Sequence, residues 1–193
     1  MNHDSLIRFF LGTGLVSRSN AEEIVSNFKE KKIAKGEFQL KEGCICDEYF
    51  FLETGFMRAF TYDLSGDDVT TGFYTNNQVV FEVSSYFNRT ASRENIQALR
   101  DCEGWFITYE QLNMLFHSVP EFREFGRSIL VKGFTKLKAR MLSMINTTAE
   151  ERYSVLLKTE PEIFQHASLK YIASYLGITD TSLSRIRKEY AKK

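Results

Sequence analysis

The chain has 193 residues and a mass of 22.4 kDa; 43% of its residues are hydrophobic and 26% charged, with 25 basic and 25 acidic side chains. A chain so composed can bury a substantial core, which excludes a disordered or collagen-like protein. Zero formal net charge excludes a protein that coats nucleic acid by bulk charge, though not one with a local basic face.

The opening segment, MNHDSLIRFFLGTG, carries neither a basic n-region nor a long apolar stretch, so no signal peptide is expected. Residues 5–31 read as helices. Leu6, Phe9 and Phe10 form one apolar cluster, and Ser19 is the expected cap of a helix over 21–28 with Ile24, Val25 and Phe28 on one stripe. From Lys32 to Thr108 the apolar period falls to about two. Short runs at 49–52, 56–62, 69–74, 78–83, 96–99 and 105–107 alternate with glycine and asparagine turn signals. About eight strands fit, which predicts an antiparallel barrel or roll. Cys44 and Cys46 alternate with Ile45, which in a strand puts both on one face. Three cysteines without CxxC spacing suggest reduced packing thiols and a cytoplasmic location, with neither disulfides nor zinc.

From Tyr109 the period returns to 3.6. A short helix ends before Pro120, and a long one follows over 121–146. Within it Leu130, Phe134, Leu137, Met141 and Met144 repeat at spacings of four, three, four and three, a heptad seam. A second stripe, Phe122, Phe125, Ile129 and Leu142, is expected to face the roll. Two apolar stripes fit either a doubly buried core helix or a helix pairing with its own copy; Arg127, Lys132, Lys136, Lys138 and Arg140 beside the seam favour the copy. After 146–148 comes an N-cap with Glu150 and Glu151 in the first helical turn, the helix continues over 152–158, and Pro161 marks the next break.

The stretch LKYIASYLGITDTSLSRI (169–186) is the most informative. Ser168 caps a helix with Leu169, Ile172, Ala173 and Leu176 inward. Gly177 permits the positive φ of a tight turn, and Thr179 caps a second helix with Leu183 and Ile186 inward. This is helix-turn-helix spacing. The outward face carries Asp180, Thr181, Ser182, Ser184, Arg185 and Lys188, groups suited to base edges and phosphates of a major groove. From Ser168 to the end, six basic residues, among them Lys170, Lys192 and Lys193, stand against two acidic ones. The competing reading is a structural αα-hairpin with a solvated basic face.

In the run IASYLGITDTSLSRI and the roll pattern KGEFQLKEG…YFFLETGFMRAFTYD, the chain resembles the Crp–Fnr superfamily over nearly its whole length. The resemblance implies an α+β fold. Its parts would be a cyclic-nucleotide-binding-like jelly roll with a helical cap over 1–120, a dimerisation helix over 121–146 and a helix-turn-helix domain over 147–193. It also implies a homodimer on a two-fold symmetric operator of double-stranded DNA, with RNA polymerase and an unidentified small-molecule effector as further candidate partners. The family's β-hairpin wing is not represented before Lys193. In cyclic-nucleotide members a glycine precedes an acid, small residues follow it, and an Arg-Ser or Arg-Thr pair comes about ten residues later. Here Glu82, Val83, Ser84 and Ser85 stand at the acid and small positions, Phe81 replaces the glycine, and Ser92-Arg93 inverts the pair. A residue out of register by one points to the opposite face of a strand. Arg93 is therefore expected at the surface, Arg89 is the only nearby substitute, and cyclic AMP is not the expected ligand. No cofactor is expected, since the cysteines cannot supply four cluster ligands and His3, His117 and His166 are dispersed. Without HExxH, P-loop or nucleophile–base spacing, an enzyme is not expected. A sensor or interaction module of the same fold, without specific DNA binding, is the alternative.

Overall fold

The computed structural model describes residues 3–190. Helix α1 (Asp4–Leu11) turns Leu6 and Phe10 inward. Helix α2 (Arg18–Val25) is capped by Ser17 and not, as its sequence suggested, by Ser19. The Glu121 carboxylate accepts both the N–H and the hydroxyl of Ser17 and so fixes the turn from outside the helix. The chain is extended again by Lys29, earlier than expected, because the charged segment Lys29–Ile33 pairs with an apolar neighbour strand.

That segment is β1. With β2 (Phe38–Leu40), β3 (Glu48–Thr54), β4 (Met57–Tyr62), β5 (Asp68–Tyr74), β6 (Gln78–Val80), β7 (Asn95–Ala98) and β8 (Cys102–Thr108) it forms two antiparallel four-stranded sheets. Their strand orders are β1-β8-β3-β6 and β2-β7-β4-β5. This interleaving of early and late strands is a jelly roll. Tyr49, Phe50, Phe51 and Leu52 are buried in succession, without alternation. The outward ring of Phe51 meets Phe9 at 5.0 Å, so helices cover the sheet's second face and both faces must be apolar. At Gly104 on β8 a Cβ would lie 2.0 Å from the Phe51 carbonyl oxygen, which admits no side chain.

Two local expectations fail here. The strand expected over 78–83 stops at Val80, because the Glu82 carboxylate accepts the N–H groups of Ser84 and Ser85 and starts helix α3 (Val83–Asn88). Cys44 and Cys46 do not share a face: the Gly43 turn leaves only an isolated bridge between Ile45 and Ala91, with Cys44 exposed and Cys46 buried.

Helix α4 (Tyr109–Ser118) begins with a reciprocal cap between Thr108 and Gln111. Helix α5 (Pro120–Asn146) takes Pro120 at its first turn, where no N–H is needed. After it come α6 (Ala149–Thr159), with a second reciprocal cap from Thr148 and Glu151, then α7 (Glu162–His166), α8 (Leu169–Leu176) and α9 (Asp180–Tyr190). Helix α7 was not expected; it is a short helix after Pro161 that buries Ile163.

The buried residues form two cores. One lies within the roll and under α1, α2, α4 and the first half of α5. The other, under α6 to α9, also includes Phe56 and Phe73 from the roll, stacked at 5.6 Å.

Candidate nucleic-acid interface and effector site

Ser168 accepts the Tyr171 N–H and starts α8, whose apolar positions Ile172, Ala173 and Leu176 are all buried. Gly177 ends it in the left-handed region at φ 68°. There its N–H reaches the Ser174 carbonyl, while the Ile178 N–H reaches Ala173. This paired closure needs a residue without a Cβ penalty, which explains the glycine. Thr179 caps α9 by accepting the Ser182 N–H at 3.2 Å, and its hydroxyl also meets the Ser182 hydroxyl. Those two hydroxyls are therefore committed to the helix start. Leu183 and Ile186 are buried, while Asp180, Thr181, Ser184, Arg185, Arg187 and Lys188 are exposed along α9. Lys170 is exposed too, but its ammonium is paired with Asp68 of β5 at 2.7 Å. Lys192 and Lys193 lie outside the described residues.

Helix α5 changes character along its length. Phe122 and Phe125 are buried and Ile129 packs against the first core. From Leu130 onward the apolar side chains of the helix are exposed, and Leu142, expected to face the roll, is 44% exposed. The seam residues Leu130, Phe134, Leu137, Met141 and Met144 are exposed as well, with Phe134 at 69%. Val131 and Ile145 widen the same apolar strip, and the heptad count did not single them out. Met144 also leans on the turn, its Cε 3.2 Å from where a Cβ on Gly177 would be.

At the expected effector position Glu82 is spent on capping α3. Val83 and Ser84 are exposed, while the Ser85 hydroxyl is buried and donates to the Thr90 carbonyl. The Arg89 guanidinium pairs with Asp47, donates to the Cys46 carbonyl at 3.0 Å and lies over the Tyr109 ring at 4.1 Å. Ser92 is buried with its hydroxyl on the Glu94 carbonyl, and Arg93 is exposed. Burial pushes the Glu94 carboxyl above its ordinary range; the Glu82 charge adds to the rise and Arg140 opposes it. A cavity of about 20 Å³ beside α3 is lined by apolar side chains such as Tyr49, Phe81, Phe87 and Ile129, and has room for about one water. A larger one, about 240 Å³, opens elsewhere, between α5, α6 and α8.

The sequence profile of the cyclic nucleotide-binding domain matches residues 30–118, the span of the roll. The transcriptional activator Anr of Pseudomonas protegens is 23% identical over 188 residues, covering 91% of this chain and 75% of that protein. The fumarate and nitrate reduction regulatory protein of Yersinia pestis is 22% identical over 85% of this chain and 69% of its own length. Among solved structures, FixK2 from Bradyrhizobium japonicum superposes with a TM-score of 0.74 at 17% identity, over 86% of this chain and 85% of that one. A transcriptional regulator of the crp/fnr family from Eubacterium rectale gives 0.72 at 14% identity, over 95% and 88%. The roll thus matches a cyclic nucleotide-binding domain, and the chain over most of its length is similar to transcription regulators of the Crp–Fnr type.

Where the pattern of the cyclic-nucleotide members would set an arginine, at position 92, a buried serine stands, and the neighbouring arginines are exposed or already paired. The Glu82 charge lies close enough to add to the rise of the Glu94 carboxyl. Among the described residues no helix is long and apolar enough to cross a membrane, and no three His, Cys, Asp or Glu side chains are grouped to hold a metal ion. Sequence reasoning missed Arg58 and Asp68, which join the roll to α8, and set Arg140 beside the α5 seam, whereas its guanidinium donates to the carbonyls of Thr71 and Tyr175. An arginine in the middle of the apolar run FMRAF was the available signal, since a charge in a buried strand requires a partner.

Proposed function

We propose that this chain acts in the cytoplasm as a homodimer that reads a two-fold symmetric DNA operator. Helix α9 enters the major groove, and the exposed seam of α5 joins the two protomers. The observation that carries this reading is the exposed polar face of α9 on a rigid, glycine-closed turn, with Arg185 and Lys188 outward and Leu183 and Ile186 inward. Arginine is suited to bidentate contact with guanine, and Lys188 and Lys170 to phosphates. Two-fold symmetry places half-site centres about 34–36 Å apart, one DNA turn. RNA polymerase is a candidate partner of the bound dimer.

Selection of bound sites from a random duplex pool tests the reading. On the selected site Arg185→Ala should cost ~1–3 kcal/mol and relax the sequence at one position per half-site. Lys188→Ala should weaken all sequences alike and flatten the salt dependence. Wild-type protein without a preferred sequence at low salt would instead favour a module that does not read DNA.

The effector site is the second part of the proposal: it does not take cyclic AMP. A buried cyclic phosphate requires a charge-assisted hydrogen bond worth ~1.5–3 kcal/mol, while Ser92 is neutral and the Arg89 guanidinium is paired with Asp47. Calorimetry should show no cyclic AMP binding at micromolar concentrations. A micromolar Kd would refute this.

A further inference from the structure

Strand β5 and helix α8 meet along a polar seam that DNA reading by α9 does not need. Arg58 on β4 is 1% exposed, its guanidinium between the rings of Phe60 and Tyr171 at 4.1 and 3.6 Å. It pairs with Asp68 at the start of β5. The other Asp68 oxygen accepts a hydrogen bond from the Lys170 ammonium on α8 at 2.7 Å. One turn along α8, the Ser174 hydroxyl accepts the Thr70 N–H at 3.0 Å and lies 2.9 Å from the Thr70 hydroxyl. Arg140 closes the far end, donating from α5 to the carbonyls of Thr71 and Tyr175 at 3.0 Å each.

We propose that this contact is an autoinhibitory latch: while α8 is docked on β5, Asp68 holds the Lys170 ammonium that would otherwise meet a DNA phosphate. The proposal rests on the DNA reading above. One ammonium cannot serve a carboxylate and a phosphate in the same geometry. Hydrogen bonding to Asp68 raises the Lys170 pKa, and the Asp67 charge adds to the rise, so the ammonium already sits in an acidic setting. A duplex approaching the start of α8 would bring its phosphates against Asp67 and Asp68. The docked state also carries a built-in strain of chemistry: the buried Nε and Nη1 of Arg58 have no hydrogen-bond partner. Buried donors of a charged group without acceptors are unfavourable, and lifting Tyr171 would return them to water. Stacking and charge pairing keep the latch shut, while the unbonded Nε and Nη1 of Arg58 favour its release.

A reversible disulfide tests the latch. Thr70→Cys with Ser174→Cys, in a Cys44→Ser background, bridges β5 and α8 and leaves Lys170, Asp68 and α9 intact. Binding to a labelled mixed-sequence duplex is read by fluorescence anisotropy at low salt. The oxidised protein should bind at least tenfold more weakly than the same protein after reduction. Equal binding in the two states would overturn the latch, because the docked arrangement would then be competent for DNA. Reduced protein and wild type both failing to bind any duplex would overturn the DNA reading, and the latch with it. Asp68→Asn gives an independent measurement. It should bind the duplex several-fold more tightly than wild type, and Lys170→Ala should abolish that gain. A gain that persists in the double variant would assign the effect to general charge repulsion and overturn the latch.

Discussion

Replacing Phe134 by alanine should weaken the homodimer by about three orders of magnitude. The residue is 69% exposed on a single protomer. A phenylalanine side chain buries roughly 200 Å² when covered, so about 140 Å² is available for burial here. Alanine would retain about 40 Å² of that, leaving a loss of about 100 Å² that counts twice across a two-fold axis. At ~25 cal/mol per Å² the two truncations remove ~5 kcal/mol, or somewhat more than three decades in the dissociation constant. Sedimentation equilibrium from nanomolar to tens of micromolar protein reads this directly. Met114→Ala is the control, because Met114 is 62% exposed but lies on α4, away from the heptad seam. Phe134→Asp with Leu137→Asp, which sets charge against charge at the axis, should leave only monomers at micromolar concentration. An unchanged dissociation constant for Phe134→Ala would refute the reasoning and show that α5 pairs through another face.

Two predictions concern stability. Gly177→Ala places a Cβ at φ 68° and 3.2 Å from the Met144 methyl group, and should lower the unfolding free energy by ~1–2 kcal/mol in urea melts; no change would mean that the turn relaxes freely. At Glu94, burial raises the folded carboxyl above its ordinary range, so protonation favours the folded state. The stability that protonation brings is fully present below the ordinary glutamate pKa of ~4.3 and is lost as pH rises through the raised value. Glu94→Gln should therefore raise the melting temperature at pH 7 and leave it nearly unchanged around pH 4; equal shifts at both would contradict this cause.

The helices and the roll were legible where burial is one-sided. The stripes of α5 and α8 and the closely spaced glycine turns of the roll follow directly from period and turn chemistry. What escaped was set by contacts distant in sequence. Ser17 rather than Ser19 caps α2 because Glu121, from another helix, fixes it. The segment KEKKI carries no strand pattern of its own and becomes β1 only through β8. Glu82 could be read as a pocket acid from its position in the motif, yet two backbone N–H groups nearby claim it first. On the DNA side, the outward residues of α9 were readable from helical spacing, but the pairing of Lys170 with Asp68 spans 102 positions and leaves no local trace.

The second core sets a limit on modular exchange. Phe56, from the turn between β3 and β4, and Phe73 of β5 are buried among the side chains of α6 to α9, and Phe73 meets Tyr175 at 5.2 Å. Excised alone, the C-terminal helices would expose the surface those two rings now cover. A chimaera that transplants the α9 reading head onto another roll would therefore need aromatic residues at the positions of Phe56 and Phe73 to remain soluble and ordered.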